Sequence, residues 1–395
     1  MNLPKPSDLA QHWQLDCDVV QLNHGSYGAC PKSVLDLQTT LRARLEANTM
    51  KFINRELQDL VDEARGALAT FLGANPRCLA FVPNATYGVN SVLRSLKFKS
   101  DDEIIVTNLE YLSCQVALDY VVERAGAKAV EVSLPFPIGA ETQVVEKLLS
   151  AVTPKTKLVL LDHVTSATGI ILPIERIQAE LAARGVDLLV DGAHAPGMLD
   201  LNLEKLGVAY YTGNCHKWIC SPKGSAFLYV REDKQSEISP LAIGHGSMRH
   251  DLNRPRLWHD FDWTGTHDPS AYLCIPAAIE FFSEVLPGGW SAVRQRNNQL
   301  VLEARQLLTK RLGMPAPAPD TMIGSLAALV LPAVPNSGPS DPLQLRLAQE
   351  YSIEAMISFV ARPKIRMIRL SAQLYNSIEQ YSYLCDAVEQ IGTCG

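Results

Sequence analysis

Two side chains carry the strongest chemical signal. Asp191 closes the apolar run Asp187-Leu-Leu-Val-Asp191, and Lys217 follows the next such run in Gly213-Asn-Cys-His216-Lys217-Trp218. A carboxylate buried after an apolar strand must be paired, and an amine arrives one βα unit later. That combination suits pyridoxal 5'-phosphate, which needs an amine for its Schiff base and an anion to keep its pyridine nitrogen protonated. Its phosphate needs a helix N-terminus or a cluster of short donors. A helix cap is the plainer reading of Asp191 alone, and Lys217 shifts the weight away from it.

Further candidates fall at the ends of other apolar runs. Asn84-Ala85-Thr86 follows the run 79–82 and precedes a helical stretch from Tyr87. It reads either as a phosphate cup of hydroxyl and backbone N–H groups or as a simple cap. Tyr111 follows the run 103–107, where it either stacks on a pyridine ring or packs half-buried. Thr165 and Ser166 lie in the polar stretch Asp162-His163-Val164-Thr165-Ser166 after the run 157–161. They suit hydrogen bonds to a cofactor's phenolic oxygen or to a carboxylate below it. His194, three residues beyond Asp191, is placed to reach the phenolic oxygen; Asn214 and His216 flank the lysine where phosphate contacts fall.

These positions require a sheet. Short apolar runs at 79–82, 103–107, 129–132, 157–161, 186–190, 208–212 and 226–230 alternate with helical stretches. The pattern predicts an α/β fold, a mostly parallel central sheet with helices on both faces. Ligands of such sheets sit outside the carboxyl ends of the strands, where every candidate lies. Residues 33–72 read as helical from an N-cap at Ser33 to Gly73, and helix-like segments near 271–286 and 290–313 precede a proline-rich stretch at 314–320. A loop tract is expected at 332–342. The chain divides into three parts: an N-terminal segment 1–20 belonging to a small domain, a large cofactor domain 21–274, and a small α+β domain 275–395.

Composition narrows the function classes. A net charge of -6 gives no basic field for nucleic acid or anionic membrane, and no apolar run approaches a membrane span. The first twenty residues lack the apolar core of a signal peptide, so the expected location is cytoplasmic. Nine scattered cysteines without a Cys-x-x-Cys pair indicate reduced thiols and no metal site. The chain lacks the Gly-rich phosphate loop and the Gly-x-Gly-x-x-Gly fingerprint that a nucleotide-dependent enzyme on the same sheet would carry. A catalytically dead interaction module of this fold is the non-enzyme alternative; intact Lys217, Asp191 and Arg369 weigh against it.

The chain resembles the class V (fold type I) pyridoxal-phosphate enzymes over nearly its whole length, and most of all their isopenicillin N epimerase-like branch. The resemblance rests on Leu22-Asn-His-Gly-Ser-Tyr-Gly28, Asn84-Ala-Thr86, Asp191-Gly-Ala-His-Ala-Pro-Gly197, His216-Lys217-Trp218 with Pro222-Lys-Gly224, and Arg369-Leu-Ser-Ala-Gln-Leu-Tyr-Asn376. It implies that Lys217 attaches the cofactor and shuttles the α-proton, that Asp191 pairs with the ring nitrogen, and that Tyr111 stacks. It assigns His194 to the phenolic oxygen, Thr86 and His216 to phosphate, and Arg369, with Asn23 and His24 nearby, to an amino-acid substrate. Thr266 resembles the residue that reaches phosphate from a neighbouring subunit, which implies a homodimer with shared sites.

Two positions depart from the common pattern: Asn214 stands where many relatives have Ser, and Tyr111 where many have His. The segment 353–368 contains no cysteine, which weighs against a sulfur-accepting desulfurase. Deprotonation at the α-carbon is expected, leading to epimerisation, β-elimination or transamination. Epimerisation needs a second acid, for which His24, Tyr27 and Tyr375 are candidates.

Overall fold

Strands made of Val, Ile and Leu on both faces can only be central strands covered on each side. The computed structural model, which describes residues 3–248, 251, 253–334, 340–360 and 364–393, builds one seven-stranded sheet from the seven apolar runs. They become β1 (Leu79–Val82), β2 (Glu103–Thr107), β3 (Lys128–Val132), β4 (Thr156–Asp162), β5 (Asp187–Asp191), β6 (Tyr210–Asn214) and β7 (Ala226–Val230). The order is β1-β7-β6-β5-β4-β2-β3, and only β7 runs against its neighbours. The expected α/β class is therefore correct.

The strand ends extend slightly past the apolar runs because polar residues continue the ladder. Asp162 pairs with Asp191, and Asp191 with Thr212, in parallel register. This register sets three polar side chains in a row at the carboxyl edge. Helices cover both faces, among them α1 (Lys32–Ala47), α2 (Leu57–Leu72), α3 (Ala85–Ser95) and α4 (Leu112–Ala125).

The helical stretch expected at 33–72 is broken. Asn48 leaves the helical region at φ -158° and caps a short turn, and a π-helical segment, Phe52–Glu56, follows before α2 begins. Ser33 is the second residue of α1 rather than its cap, a position that falls to Pro31. The apolar spacing survives these interruptions, so periodicity alone hides them.

A second sheet joins β8 (Leu326–Val330), β9 (Met356–Val360) and β10 (Ile365–Ser371), antiparallel in the order β9-β10-β8. It shares a core with α5 (Gly289–Leu312) and α6 (Ile378–Ile391), where Val301, Leu329, Ile368 and Leu384 are buried together. Near the N-terminus, Val20–Gln21 pairs in parallel with Ile353–Glu354, tying the start of the chain to this region. Of the loop tract expected at 332–342, residues 335–339 lie outside the described residues. Pro342 opens a helix, Pro342–Tyr351, from the first helical position that suits its missing N–H.

Candidate active site

The carboxyl edge of the large sheet opens into a cavity of about 410 Å³, within the ~300–1,000 Å³ range of small-molecule sites. Lys217 lines it together with Thr86, Tyr111, Asp191, His194 and His216. One wall is the start of α3. Asn84 accepts the N–H of Tyr87 at 2.8 Å, and Asn214 accepts that of Ala85 at 2.9 Å. Asn84 is thus a true cap, and the phosphate-cup reading passes to Thr86. Thr86 lines the cavity with a hydroxyl and a first-turn N–H that no helix carbonyl can reach.

Lys217 sits on the loop after β6, held from behind. Its carbonyl can only accept, so His24 Nε2–H donates to it at 2.9 Å, and His24 Nδ1 accepts from the Tyr375 hydroxyl at 2.9 Å. Burial pushes the His24 imidazolium down to about 3, consistent with a neutral ring. Gly28, at φ +71°, passes against the same loop so closely that a Cβ there would meet the His216 carbonyl oxygen at 2.0 Å.

In front, Lys217 Nζ lies 3.0 Å from His194 Nε2. The Trp218 indole N–H can only donate, and it reaches His194 Nδ1 at 3.3 Å. His194 therefore carries its proton on Nε2 and offers it to the lysine nitrogen, which favours the free amine. Burial, and then the nearby Arg369 charge, push the Lys217 ammonium down to about 8.

Asp191 is 2 % exposed. One oxygen accepts the Ala193 N–H at 2.8 Å and the other lies 3.0 Å from the Cys114 thiol on α4. Burial raises its pKa, while Cys114, Ala193 and Lys217 act in the opposite direction. Cys114 was not expected here. Helical spacing from Tyr111, once that residue is placed at the cavity, would have found it.

Arg369 enters from β10 and is also buried. Nη1 donates to the Ser166 carbonyl at 2.9 Å, while Nη2 donates to Asn23 Oδ1 at 2.8 Å and Ser26 Oγ at 2.6 Å. Its Nε has no partner. Arg369 lines a second cavity of about 490 Å³ that shares Tyr111 and Ser166 with the first. Asn23 thus orients the guanidinium and does not itself line the cavity. Ser26, missed in the sequence, does both.

Besides Asn23, four expected residues do not gather at the cavity. His24 and Tyr375 are spent on each other and on the Lys217 carbonyl, because the lysine loop needs internal support. Thr165 is fully buried and turns its hydroxyl to Thr168 and the Ile170 carbonyl within its own turn. Thr266 lines a separate cavity of about 410 Å³ that shares only Pro83 and Gly224 with the first. Tyr27, the third acid candidate, lines the Lys217 cavity and is mostly exposed.

The residues present fit pyridoxal phosphate on structural grounds. A buried carboxylate, an amine held beside a neutral imidazole, and a guanidinium with an unpartnered Nε converge on adjoining cavities. Residues 29–333 match the aminotransferase class-V family. The chain belongs to that family, and its relatives place it in the isopenicillin N epimerase-like branch.

It is 33% identical to isopenicillin N epimerase of Streptomyces clavuligerus over 391 residues, 95% of this chain and 96% of that protein. It is 30% identical to a protein of Arabidopsis thaliana described as a probable chloroplastic L-cysteine desulfhydrase, over 97% of this chain and 84% of that one. A cysteine desulfurase from Thermococcus onnurineus NA1, 21% identical, superposes with a TM-score of 0.81 over 99% of this chain and 98% of the other, which shows the shared fold.

Proposed function

We propose that the protein is a pyridoxal-phosphate-dependent enzyme that removes the α-proton of an amino acid or an amino-acid-containing substrate. The observation that carries this reading is the Lys217 amine, 3.0 Å from His194 at a cavity whose lining includes the buried Asp191. When bound, the cofactor supplies the electron sink that makes bonds at the α-carbon labile. Lys217 is its attachment point and then the base. Asp191 holds the proton on the ring nitrogen, His194 meets the phenolic oxygen, and Tyr111 stacks on the ring. Thr86 and His216 hold the phosphate, with Ser166 and Asn214 in supporting contact. Arg369, set by Asn23 and Ser26, takes the substrate carboxylate; its buried Nε is the one guanidinium nitrogen that no protein group engages.

Once the α-proton is gone, epimerisation is the first reading of the substrate's fate, supported by the 33% identity to isopenicillin N epimerase. β-Elimination at a carbon–sulfur bond is the second. A specific observation favours it: His24 and Tyr375 are withdrawn from the cavity, which leaves only Tyr27 of the three acid candidates there. Elimination needs no acid on the opposite face.

Candidate amino acids incubated in deuterated water and followed by NMR separate the two. Deuterium at Cα with inverted configuration supports the epimerase, whereas pyruvate and ammonia support the lyase. An inverted product that carries no solvent deuterium at Cα, formed without pyruvate, would refute the shared first step.

The functional unit we propose is a homodimer in which Thr266 of one chain completes the phosphate site of the other. Thr266 stands apart from Lys217 within one chain, and Leu112, Val116 and Tyr120 form an exposed apolar stripe along α4. Mixing a Lys217→Ala chain with a Thr266→Ala chain should restore part of the activity; a fully active monomer would refute the arrangement.

A further inference from the structure

Asp191 is buried, so no solvent steadies its two oxygens, and the groups that bond them decide where the carboxylate points. Oδ1 accepts the Ala193 N–H at 2.8 Å, a bond made within its own turn. Oδ2 is held from a different element: the Cys114 thiol on α4 donates to it at 3.0 Å. This is the shortest thiol hydrogen bond among the described residues. Cys220 lies 3.3 Å from the Lys217 carbonyl oxygen, and Cys17 lies 3.9 Å from Asp18. An ionised carboxylate can only accept, so the proton of the contact belongs to sulfur.

The local sequence explains how a thiol comes to lie there. Tyr111 is the N-cap of α4, and Cys114, in the first turn, donates its N–H to the Tyr111 carbonyl at 2.9 Å. Side chains three apart share a helix face. Tyr111 lines the Lys217 cavity, while Cys114, fully buried, meets Asp191. One turn of α4 therefore places both the proposed stacking ring and the acid.

The surroundings make this donor matter. Glu110 is buried too, and a carboxyl oxygen of Glu110, one of Asp191 and the Cys114 sulfur lie within 4.8 Å of one another. Asp162 is the ladder neighbour of Asp191 on the other side. Removing the thiol takes from Oδ2 its only hydrogen bond among the described residues and leaves it facing other acids. Burial raises the Asp191 pKa, and Cys114 is the largest of the influences that lower it, ahead of Ala193 and Lys217.

We propose that Cys114 is a positioning residue for Asp191: its thiol donates to Oδ2 and, together with the Ala193 N–H, fixes the carboxylate in the orientation offered to a cationic ring nitrogen. The role toward the ring rests on the proposed cofactor reading; the bond between thiol and carboxylate does not.

The bond is read first, on the full-length chain freed of cofactor. The S–H stretch falls in an infrared window free of other protein bands, and subtracting the spectrum of Cys114→Val from that of the wild type isolates one thiol. A donating thiol absorbs at lower frequency than a free one. The Cys114 band should therefore lie below that of the exposed Cys17, isolated in the same way with Cys17→Ser. A Cys114 band at the Cys17 frequency, or no band, overturns the proposal.

The role is read by equilibrium dialysis of pyridoxal phosphate and of 1-deazapyridoxal 5'-phosphate, whose ring carries C–H in place of the nitrogen. Losing a hydrogen bond to a charged group corresponds to roughly 10–100-fold in affinity. Cys114→Ala should weaken pyridoxal phosphate by that factor and the deaza analogue by less than about threefold. Cys114→Ser, which keeps a donor, should stay within about threefold of the wild type. Cys114→Val, which fills the space without a donor, should behave as Cys114→Ala. A packing role alone would reverse the order of Ser and Val.

Equal losses for the two aldehydes, or a Cys114→Val protein with wild-type affinity, would overturn the positioning role. Urea unfolding of each variant identifies a folding defect, and if Cys114→Val does not fold, the contrast between Ala and Ser carries the test. A wild type that takes up neither aldehyde would sink the cofactor reading and the role toward the ring with it, while the infrared band still reports the bond.

Discussion

Replacing Gly28 with Ala tests whether the lysine loop is held by direct backbone contact. The new methyl group would lie 2.0 Å from the His216 carbonyl oxygen and 3.0 Å from that of Lys217, both backbone atoms. Gly28 also has φ +71° and ψ 165°, a region essentially reserved for glycine, where an L residue costs roughly 1–3 kcal/mol. Overpacking adds typically ~1–3 kcal/mol, so the expected destabilisation is about 2–6 kcal/mol if the loop stays in place. If the loop yields instead, it must shift by about 1 Å, a displacement worth ~10²-fold in rate when it moves a reacting group. Urea unfolding and turnover, measured on the same preparation, distinguish these outcomes. Gly66→Ala is the control: it lies inside α2 with open space around it and should gain about 0.5–1 kcal/mol. A Gly28→Ala protein with the wild-type midpoint and full turnover would refute the reasoning.

The site residues themselves can be tested in the same way. Asp191→Ala should lose far more turnover than cofactor, since the anion acts on the transition state; normal turnover, assayed with saturating pyridoxal phosphate, would transfer its role elsewhere. Arg369→Lys should raise KM by roughly 10–100-fold, because a point charge cannot replace a fork, and unchanged KM in steady-state kinetics would remove the carboxylate assignment. Lys217, lowered from the ordinary lysine value near 10.5 to about 8, gives the cofactor-free protein stability that is present above 10.5 and lost as pH falls through 8. Lys217→Met should remove that slope from unfolding measured between pH 7.5 and 10.5.

The sheet was legible because buried parallel strands are the simplest apolar pattern a sequence can carry, and all seven runs became strands. Asp191, Lys217, Thr86 and His216 could be placed because each lies at, or within a few residues after, the carboxyl end of a strand, where open sheets present their ligand sites. His24 was misjudged for a different reason. Its motif lies near the cavity, but its side chain serves the backbone of Lys217, a direction that no spacing records. Glu110 was passed over beside the more conspicuous Tyr111, although an acid just after an apolar strand raises the same pairing question as Asp191. The break at Asn48 was invisible because the helical spacing resumes beyond it.

The contact between Asn23 and Arg369 spans 346 residues. Ribosomes add about 5–20 residues per second, so roughly 17–70 s separate the birth of the two partners. Through that interval the nascent chain already carries Asn23, and later Asp191 and Lys217, yet lacks Arg369, the proposed carboxylate fork. A chain released before β10 would own a reactive amine without the group that selects what reaches it. On the proposed function, the ability to discriminate among amino acids therefore arrives only once translation has passed β10.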